Sequence, residues 1–353
     1  MTSALTMTSR ELVLRTLDRQ PVDRVPVGPM MLDLGAAVID APIGLYCSDP
    51  EVMARGQLAL YEQLGQDIIF VGCDNYYIAE GFGCVAELPE DETPHLVKPP
   101  LEHIGDVGGL EVPDPLTDGR MPMVLEATRL VRKAVGDEVA IRTPGTGPFA
   151  LASYFVGTQE FLIEVGMAKA GLPGSEPAAI HQALDLAADA LIAFGKACVD
   201  AGADLLHCGD SLASCDVISP ADYEEWAFPY ERKVLQAWKA YGAKTLLHIC
   251  GDSSKVLDLY AETGADVIEV DHKVDLALAR SIVGHRACVI GNVDPVTVLL
   301  QGTPEQVRAA SEACLEAGRG GGYILGSGCV VPRITPLENV RAMVEAARRS
   351  CPS

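Results

Sequence analysis

The chain has 353 residues, 48% hydrophobic and 22% charged, with 27 Lys and Arg against 49 Asp and Glu for a net charge of −22. This composition supplies a large core and excludes disorder, collagen and coiled coil. The charge excludes a face built to neutralise nucleic-acid phosphates or to dock on an anionic membrane; it fits a protein kept apart by self-repulsion, or one that meets a basic partner. At about 150 residues per domain the length suggests two domains, but an α/β barrel can fill it alone. No window reaches 18 consecutive apolar residues, so no membrane span is expected. The opening MTSALTMTSRELVLRTL has no charged stretch before an apolar run and does not read as a secretory signal. Eleven cysteines, an odd number without a disulfide-like frame, fit a reducing cytosol.

In chain order, Thr8-x-x-Glu11 opens a helix as a capping box, and Pro21 and Pro26 end it. VPVGPMML then reads as a short apolar strand. Asp49 and Pro50 start a helix over 49–65. IIFVG (68–72) is a buried strand. The stretch 73–117, rich in prolines and short extended pieces, reads as a lid-like excursion after this second strand. Residues 123–135 form a helix and VAIRT (139–143) a strand. Strands 203–209, 244–250, 265–270, 286–291 and 321–328 then alternate with helices over roughly 158–201, 220–241, 253–263, 275–283, 304–318 and 336–349.

Short apolar runs alternating with amphipathic helices imply a parallel sheet with helices outside. Eight such units predict an α/β fold, a single-domain (β/α)8 TIM barrel over 1–353. A doubly wound sheet is disfavoured, because no G-x-G-x-x-G joins a first strand to a helix.

His248-Ile249-Cys250 ends one strand. Residues i and i+2 share a strand face, so both side chains aim one way at the carboxyl end, where barrels carry their sites. Cys329 follows the last strand and reaches the same rim despite 78 intervening residues. One imidazole and two thiolates with no fourth protein ligand is the donor pattern of a catalytic zinc site. By itself an H-x-C pair more often marks packing or a hydrogen-bonded core histidine. With zinc, an exogenous thiol loses its proton near neutrality and becomes a methyl acceptor, or a methyl ether becomes a better donor.

These residues sit in stretches that resemble a known family. GADLLHCGDSLASCDVISPADYEEWAFPYERKVL, TLLHICGD, VIGNVDPVTVLLQGTPEQV and GGYILGSGCVVPRITPLENVRAMVEAAR are similar to the uroporphyrinogen decarboxylase superfamily, weakly before residue 140 and strongly after 200. Gly-Asn-x-Asp-Pro (291–295) and Pro-Leu-Glu-Asn (336–339) are its specific marks. The resemblance implies a (β/α)8 barrel. True decarboxylases bind an acidic porphyrinogen with arginines in an early loop and carry a histidine between two glycines near the last strand. Here the early loop is GPMMLDLGAA (28–37) and the late position is Gly326-Ser327-Gly328, so both cations are missing.

The other branch, the methylcobamide:coenzyme M methyltransferases and related O-demethylase methyltransferases, shares His-x-Cys and a distant cysteine, matching His248, Cys250 and Cys329. The resemblance implies Zn(II) at these three residues and methyl transfer to or from the cobalt of a corrinoid (cobalamin). The chain has no D-x-H-x-x-G, so the corrinoid is expected on a separate carrier protein docking over the barrel mouth. The other reactant is a small-molecule methyl donor or acceptor. The rivals are a metal-free decarboxylase and a non-catalytic zinc- or thiol-binding protein.

Further residues join the expected site. Asp210 and Ser211 follow the 203–209 strand and could orient substrate or supply a labile fourth ligand; the alternative is a helix cap. Glu269 and Asp271 end the next strand but one and could hydrogen-bond His248 and fix its tautomer. Asn292 and Asp294 look like rim residues, with a turn beside Pro295 as the alternative. Asp74, Asn75, Tyr76 and Tyr77 could line a pocket for a flat ligand. His207-Cys208, whose side chains point to opposite faces, is read as core. Cys47, Cys73, Cys84, Cys198, Cys215, Cys288, Cys314 and Cys351 are read as packing or surface thiols.

Overall fold

A computed structural model describes residues 7–143 and 145–350; Cys351 and the first six residues of the N-terminal stretch lie outside them. Nine strands form: β1 (Ile68–Phe70), β2 (Val85–Glu87), β3 (His95–Lys98), β4 (Ala140–Arg142), β5 (Leu205–Gly209), β6 (Lys244–Ile249), β7 (Val267–Val270), β8 (Cys288–Val293) and β9 (Tyr323–Ser327). Seven make one parallel sheet in the order β1-β4-β5-β6-β7-β8-β9, and β2 and β3 pair antiparallel. Helices join the parallel strands, as βαβ crossovers require.

The strand expected at VPVGPMML is a correction. It shrinks to a single bridge, Val27 beside Leu325. Pro26 and Pro29 have no N–H to give a ladder, which keeps this segment from being a full strand. It still ties the sheet's two edges together. Gly28 donates to Leu325 O and Leu325 to Pro26 O, while Asp67 donates to Val27 O just before β1. The sheet therefore curls into a barrel-like form of seven strands and a bridge.

The interior of the curl follows the period of two along each strand. Ile68, Ala140, Leu205, Leu246, Val267, Cys288, Ile290 and Ile324 form one buried cluster, with Val13 and Leu17 from the helix Ser9–Leu17 packed among them. That amphipathic helix closes the amino end of the sheet, and the Thr8 hydroxyl accepts from Glu11 N at its start. The intervening strand residues, among them Leu206, Cys208, Leu247, Ile249, Ile268, Val270 and Leu325, pack outward against the helices. The helix Pro177–Ala201 is long and apolar enough to cross a membrane by length and composition. Its Ile180, Leu184, Leu191 and Phe194 are buried in the outer core.

Between β1 and the helix Met121–Val135 the chain makes the β2–β3 pair and two 3₁₀ turns, Ala79–Phe82 and Ile104–Gly109. Asp49 caps the helix Pro50–Leu64 through Glu51 and Val52 N–H, as its sequence predicts.

Candidate metal centre and pocket

One step up five of the strands from the apolar interior layer, the inward residues are Phe70 and then four polar or charged side chains. Phe70, Arg142, His207, His248 and Glu269 follow Ile68, Ala140, Leu205, Leu246 and Val267 at i+2. Register places His248 beside Gly209 on one side and Glu269 on the other. Cys250 lies two residues beyond His248, just past β6, and Cys329 two residues beyond β9. His248 Nε2 is 3.2 Å from Cys250 Sγ, and Cys250 Sγ is 3.3 Å from Cys329 Sγ. One donor atom from each of the three lies within 4.8 Å of the others.

The protonation pattern suits a cation. The Cys329 thiol is pushed down to about 5, first by the Cys250 thiol donating to it and then by His248, against the effect of burial. Cys250 moves up, because Cys329 beside it and burial both disfavour a second thiolate. Burial lowers the His248 value, but the Cys329 sulfur and Glu269 outweigh it and the imidazole is raised. A soft divalent ion bound here would replace those shared protons and accept all three donors. Zinc–thiolate bonds of about 2.3 Å at tetrahedral angles put two sulfurs about 3.8 Å apart, so a small opening of the pair admits the ion.

Behind the triad stands a buried polar assembly. His248 Nδ1 faces Glu269, 3.3 Å from its carbonyl and 3.4 Å from its carboxylate, which directs Nε2 toward the sulfurs. Arg142 grips the Glu269 carboxylate with both terminal nitrogens, and its Nη2 is 2.9 Å from His207 Nδ1. Its guanidinium carbon sits 4.5 Å from the Phe70 ring centre. Arginine only donates, so His207 Nδ1 accepts and its proton lies on Nε2, which has no partner among the described residues. Burial, then Arg142 and His248, lower the His207 value and keep the ring neutral.

Above the triad is a cavity of about 310 Å³, the size of a small-ligand site. Its lining includes Met30, Asp33, Phe70, His207, Ser211, His248 and Cys250. All four residues expected there, Asp74, Asn75, Tyr76 and Tyr77, line it, as does Ser211. Asp74 is not free: Arg120 Nη1 and Nη2 donate to its oxygens at 2.7 and 3.0 Å, and Tyr76 N donates at 2.7 Å. Tyr77 is buried, and its hydroxyl accepts from Gly145 N at 2.9 Å.

Three expected site residues have other uses. Asp210 is fully buried, and its oxygens accept from Phe149 N and Ala150 N at 2.9 and 2.7 Å. It caps the helix Pro148–Ser153, at a point where Gly147 has no side chain to collide with it. Neither its position nor its bonding offers a ligand or a substrate contact. Asp271 does not bond His248; it accepts from Gly251 N and Lys273 N, both at 2.9 Å. Gly251, at φ +87°, makes the turn that places its N–H there. The Asn292 amide donates to the Asp271 and Val274 carbonyls at 3.0 and 2.7 Å, bracing that loop from outside the cavity. Glu269 approaches His248 as expected, but its main partner is Arg142.

Arg142, Arg120 and Asp33 escaped the sequence reading, and His207 was read only as core. The signal for Arg142 was present: a charged residue at an inward position of an apolar strand needs a buried partner. Arg120 and Asp33 sit in irregular segments, where no period says which way a side chain points.

Comparisons with known proteins show which family the chain belongs to. The model of the family described as uroporphyrinogen decarboxylase (URO-D) matches residues 8–350. The methylcobamide:CoM methyltransferase MtbA of Methanosarcina mazei is 33% identical over 97% of this chain and 98% of its own length. The methylcobamide:CoM methyltransferase MtaA of Methanosarcina barkeri is 32% identical over 96% and 97%. A solved methyltransferase from Methanosarcina mazei superposes with a TM-score of 0.86 at 31% identity, covering 97% of this chain and 98% of that one.

Proposed function

The chain belongs to the uroporphyrinogen decarboxylase family, and on that premise we propose that it is a zinc-dependent methyltransferase. It moves a methyl group between a small thiol or methyl ether and the cobalt of a corrinoid carried by a partner protein. The observation that carries this reading is the convergence of His248, Cys250 and Cys329 beside a cavity that His248 and Cys250 line, with donor atoms within 4.8 Å of each other. Its curated relatives named as methylcobamide:CoM methyltransferases support it.

When bound, zinc supplies Lewis acidity that lowers the proton affinity of a thiol acceptor or draws charge from a methyl-bearing heteroatom. The chain's own residues do the rest. His248, Cys250 and Cys329 hold the ion. Glu269 holds the His248 ring, and Arg142 holds Glu269, so the imidazole presents Nε2 in a fixed orientation. Two thiolates match the charge of the divalent ion. His207 lines the cavity as a neutral ring, with its Nε2–H buried and without a partner among the described residues. Phe70, Tyr76 and Met30 line the cavity and would limit the orientations open to a small substrate.

The excursion 73–117 serves as the cover. Thr93 and Pro94 at the turn of its hairpin line the cavity, and the Thr93 hydroxyl donates to Asp33. The ten cysteines among the described residues are all free, which supports a reducing, cytoplasmic setting.

The test is a spectroscopic assay of the zinc-loaded protein with methylcob(III)alamin and a panel of thiols, and with cob(I)alamin and a panel of methyl ethers. Zinc-dependent change of the cobalt spectrum is expected. A zinc-replete protein that moves methyl in neither direction contradicts the reading and favours a non-catalytic zinc-binding protein.

A further inference from the structure

Three glycines, Gly72, Gly145 and Gly209, line the cavity. None of them has the left-handed φ that favours glycine. At Gly209 packing demands the missing side chain, because a Cβ there would run into Gly145 O and His207 Nε2. At Gly72 and Gly145 no such demand exists. A Cβ on Gly72 would meet Leu32 Cδ2 and Phe70 Cε2 at 3.7 Å. One on Gly145 would meet Tyr77 Oη at 3.6 Å and Asn75 Oδ1 at 3.7 Å. These are ordinary van der Waals distances. Alanine at a position that tolerates it stabilises a protein by restricting the unfolded chain, so these two glycines forgo stability. What they keep is room inside the cavity.

The room is large for the smallest reactants. The cavity holds about 310 Å³, and an apolar cavity of about 150 Å³ already takes a benzene. Around the two glycines the wall offers rings and hydrocarbon from Phe70, Tyr76, Leu32, Met30 and Val330. Polar groups on the same wall are turned to partners: Asp74 accepts from Arg120, and the Tyr77 hydroxyl accepts from Gly145 N. Such a surface gains by covering an apolar, flat body.

We propose that Gly72 and Gly145 are specificity-determining residues, which hold open a slot for a reactant whose sulfur or oxygen carries a ring-sized apolar body. This rests on the methyltransferase reading for the identity of the reacting atom; the size rule is a property of the wall. Smaller thiols still enter the slot, with less apolar contact.

The test titrates phenylmethanethiol and 2-mercaptoethanol into the zinc-loaded protein by calorimetry, with methyl transfer from methylcob(III)alamin to each measured in parallel. Phenylmethanethiol is expected to bind at least about 10-fold more tightly. Gly72→Val fills the slot and is expected to weaken phenylmethanethiol about 10-fold and 2-mercaptoethanol less than about threefold, with bound zinc unchanged by metal analysis. Gly72→Ala and Gly145→Ala should lose ring binding in the same direction while keeping or raising Tm, whereas Gly209→Ala should lower Tm. Equal binding of the two thiols, equal losses for both in Gly72→Val, no thiol binding, or a lowered Tm in both Gly72→Ala and Gly145→Ala overturns the proposal. Methyl transfer to both thiols with no preference in binding sinks the size rule and leaves the methyltransferase reading standing. Ring-selective binding without transfer does the reverse.

Discussion

Among the described residues two clusters have ligand-type side chains at metal-like spacing, and they differ in what already satisfies their charge. His248, Cys250 and Cys329 form one, of which His248 and Cys250 line the cavity; Cys47, Cys73 and Asp74 form the other, of which Cys73 and Asp74 line it, and in each the donor atoms lie within 4.8 Å. The second cluster already contains its cation. Arg120 pairs with Asp74, and its Nη1 also donates to the Cys47 carbonyl at 2.9 Å. Burial pushes the Cys73 thiol up, so it stays protonated and donates to Asp74 at 3.2 Å. Among the described residues no arginine or lysine bonds to the sulfurs of the first cluster, and Cys250 and His248 push the Cys329 thiol down to about 5. Spacing alone therefore does not make a metal site; the donors must also carry charge that nothing else satisfies.

The sharpest way to break this contrast is to remove one sulfur from each cluster. Cys250→Ala is expected to strip zinc from the protein and to cut methyl transfer on the order of 10³-fold, since several kcal/mol of Lewis-acid stabilisation disappear. Cys73→Ala should leave bound zinc unchanged. Metal analysis of both variants checks this, and zinc loss in C73A alone would reverse the assignment.

Next in size is the support of the first cluster. Arg142→Met leaves Glu269 buried without its partner and should cost about 3–5 kcal/mol in chemical denaturation. By loosening His248 it should also weaken zinc binding about 10–100-fold, read by competition with a chelator.

Arg120→Met probes the second cluster from the other side. Loss of the hydrogen bonds to Asp74 and Glu80 should cost about 1.5–3 kcal/mol. The freed Cys47, Cys73 and Asp74 should then take up a weak second zinc, visible as a second equivalent in titration. Failure to gain it would mean that geometry, rather than Arg120, keeps the ion out.

The smallest effect concerns Asp210. Burial pushes its carboxyl up to about 7 from an ordinary 3.8, against the pull of the Phe149 and Ala150 N–H groups. With the folded value above the unfolded one, the native state holds the proton more tightly. Its contribution to stability is complete below about pH 4 and is lost as pH rises through about 7. Glu231, pushed up by burial and by Asp210, acts in the same direction. Asp210→Asn should flatten the fall in Tm between pH 5 and pH 8 without changing bound zinc; an unaltered profile would remove this account.

Much of this was legible in the sequence, for physical reasons. A strand's period of two fixes His248 and Cys250 on one face, and parallel topology brings Cys329 to the same rim. The strand at VPVGPMML was over-read because apolar content outweighed the prolines that remove its donors. Asp210, Asp271 and Asn292 were placed at the correct end of the sheet, but sequence position cannot tell whether a polar side chain faces a cavity or a backbone N–H one turn away. Arg142 and Glu269 are 127 positions apart, and nothing local announces that they pair.

The central claim is that one zinc ion sits between an imidazole and two sulfurs with a position left for substrate. Zinc-edge X-ray absorption on the purified protein, before and after a thiol is added, tests it most directly. The account predicts two sulfurs and one nitrogen beside a light, exchangeable neighbour, and a third sulfur once thiol is present. A zinc shell of nitrogen and oxygen alone, or a sulfur count that the thiol does not change, would contradict it.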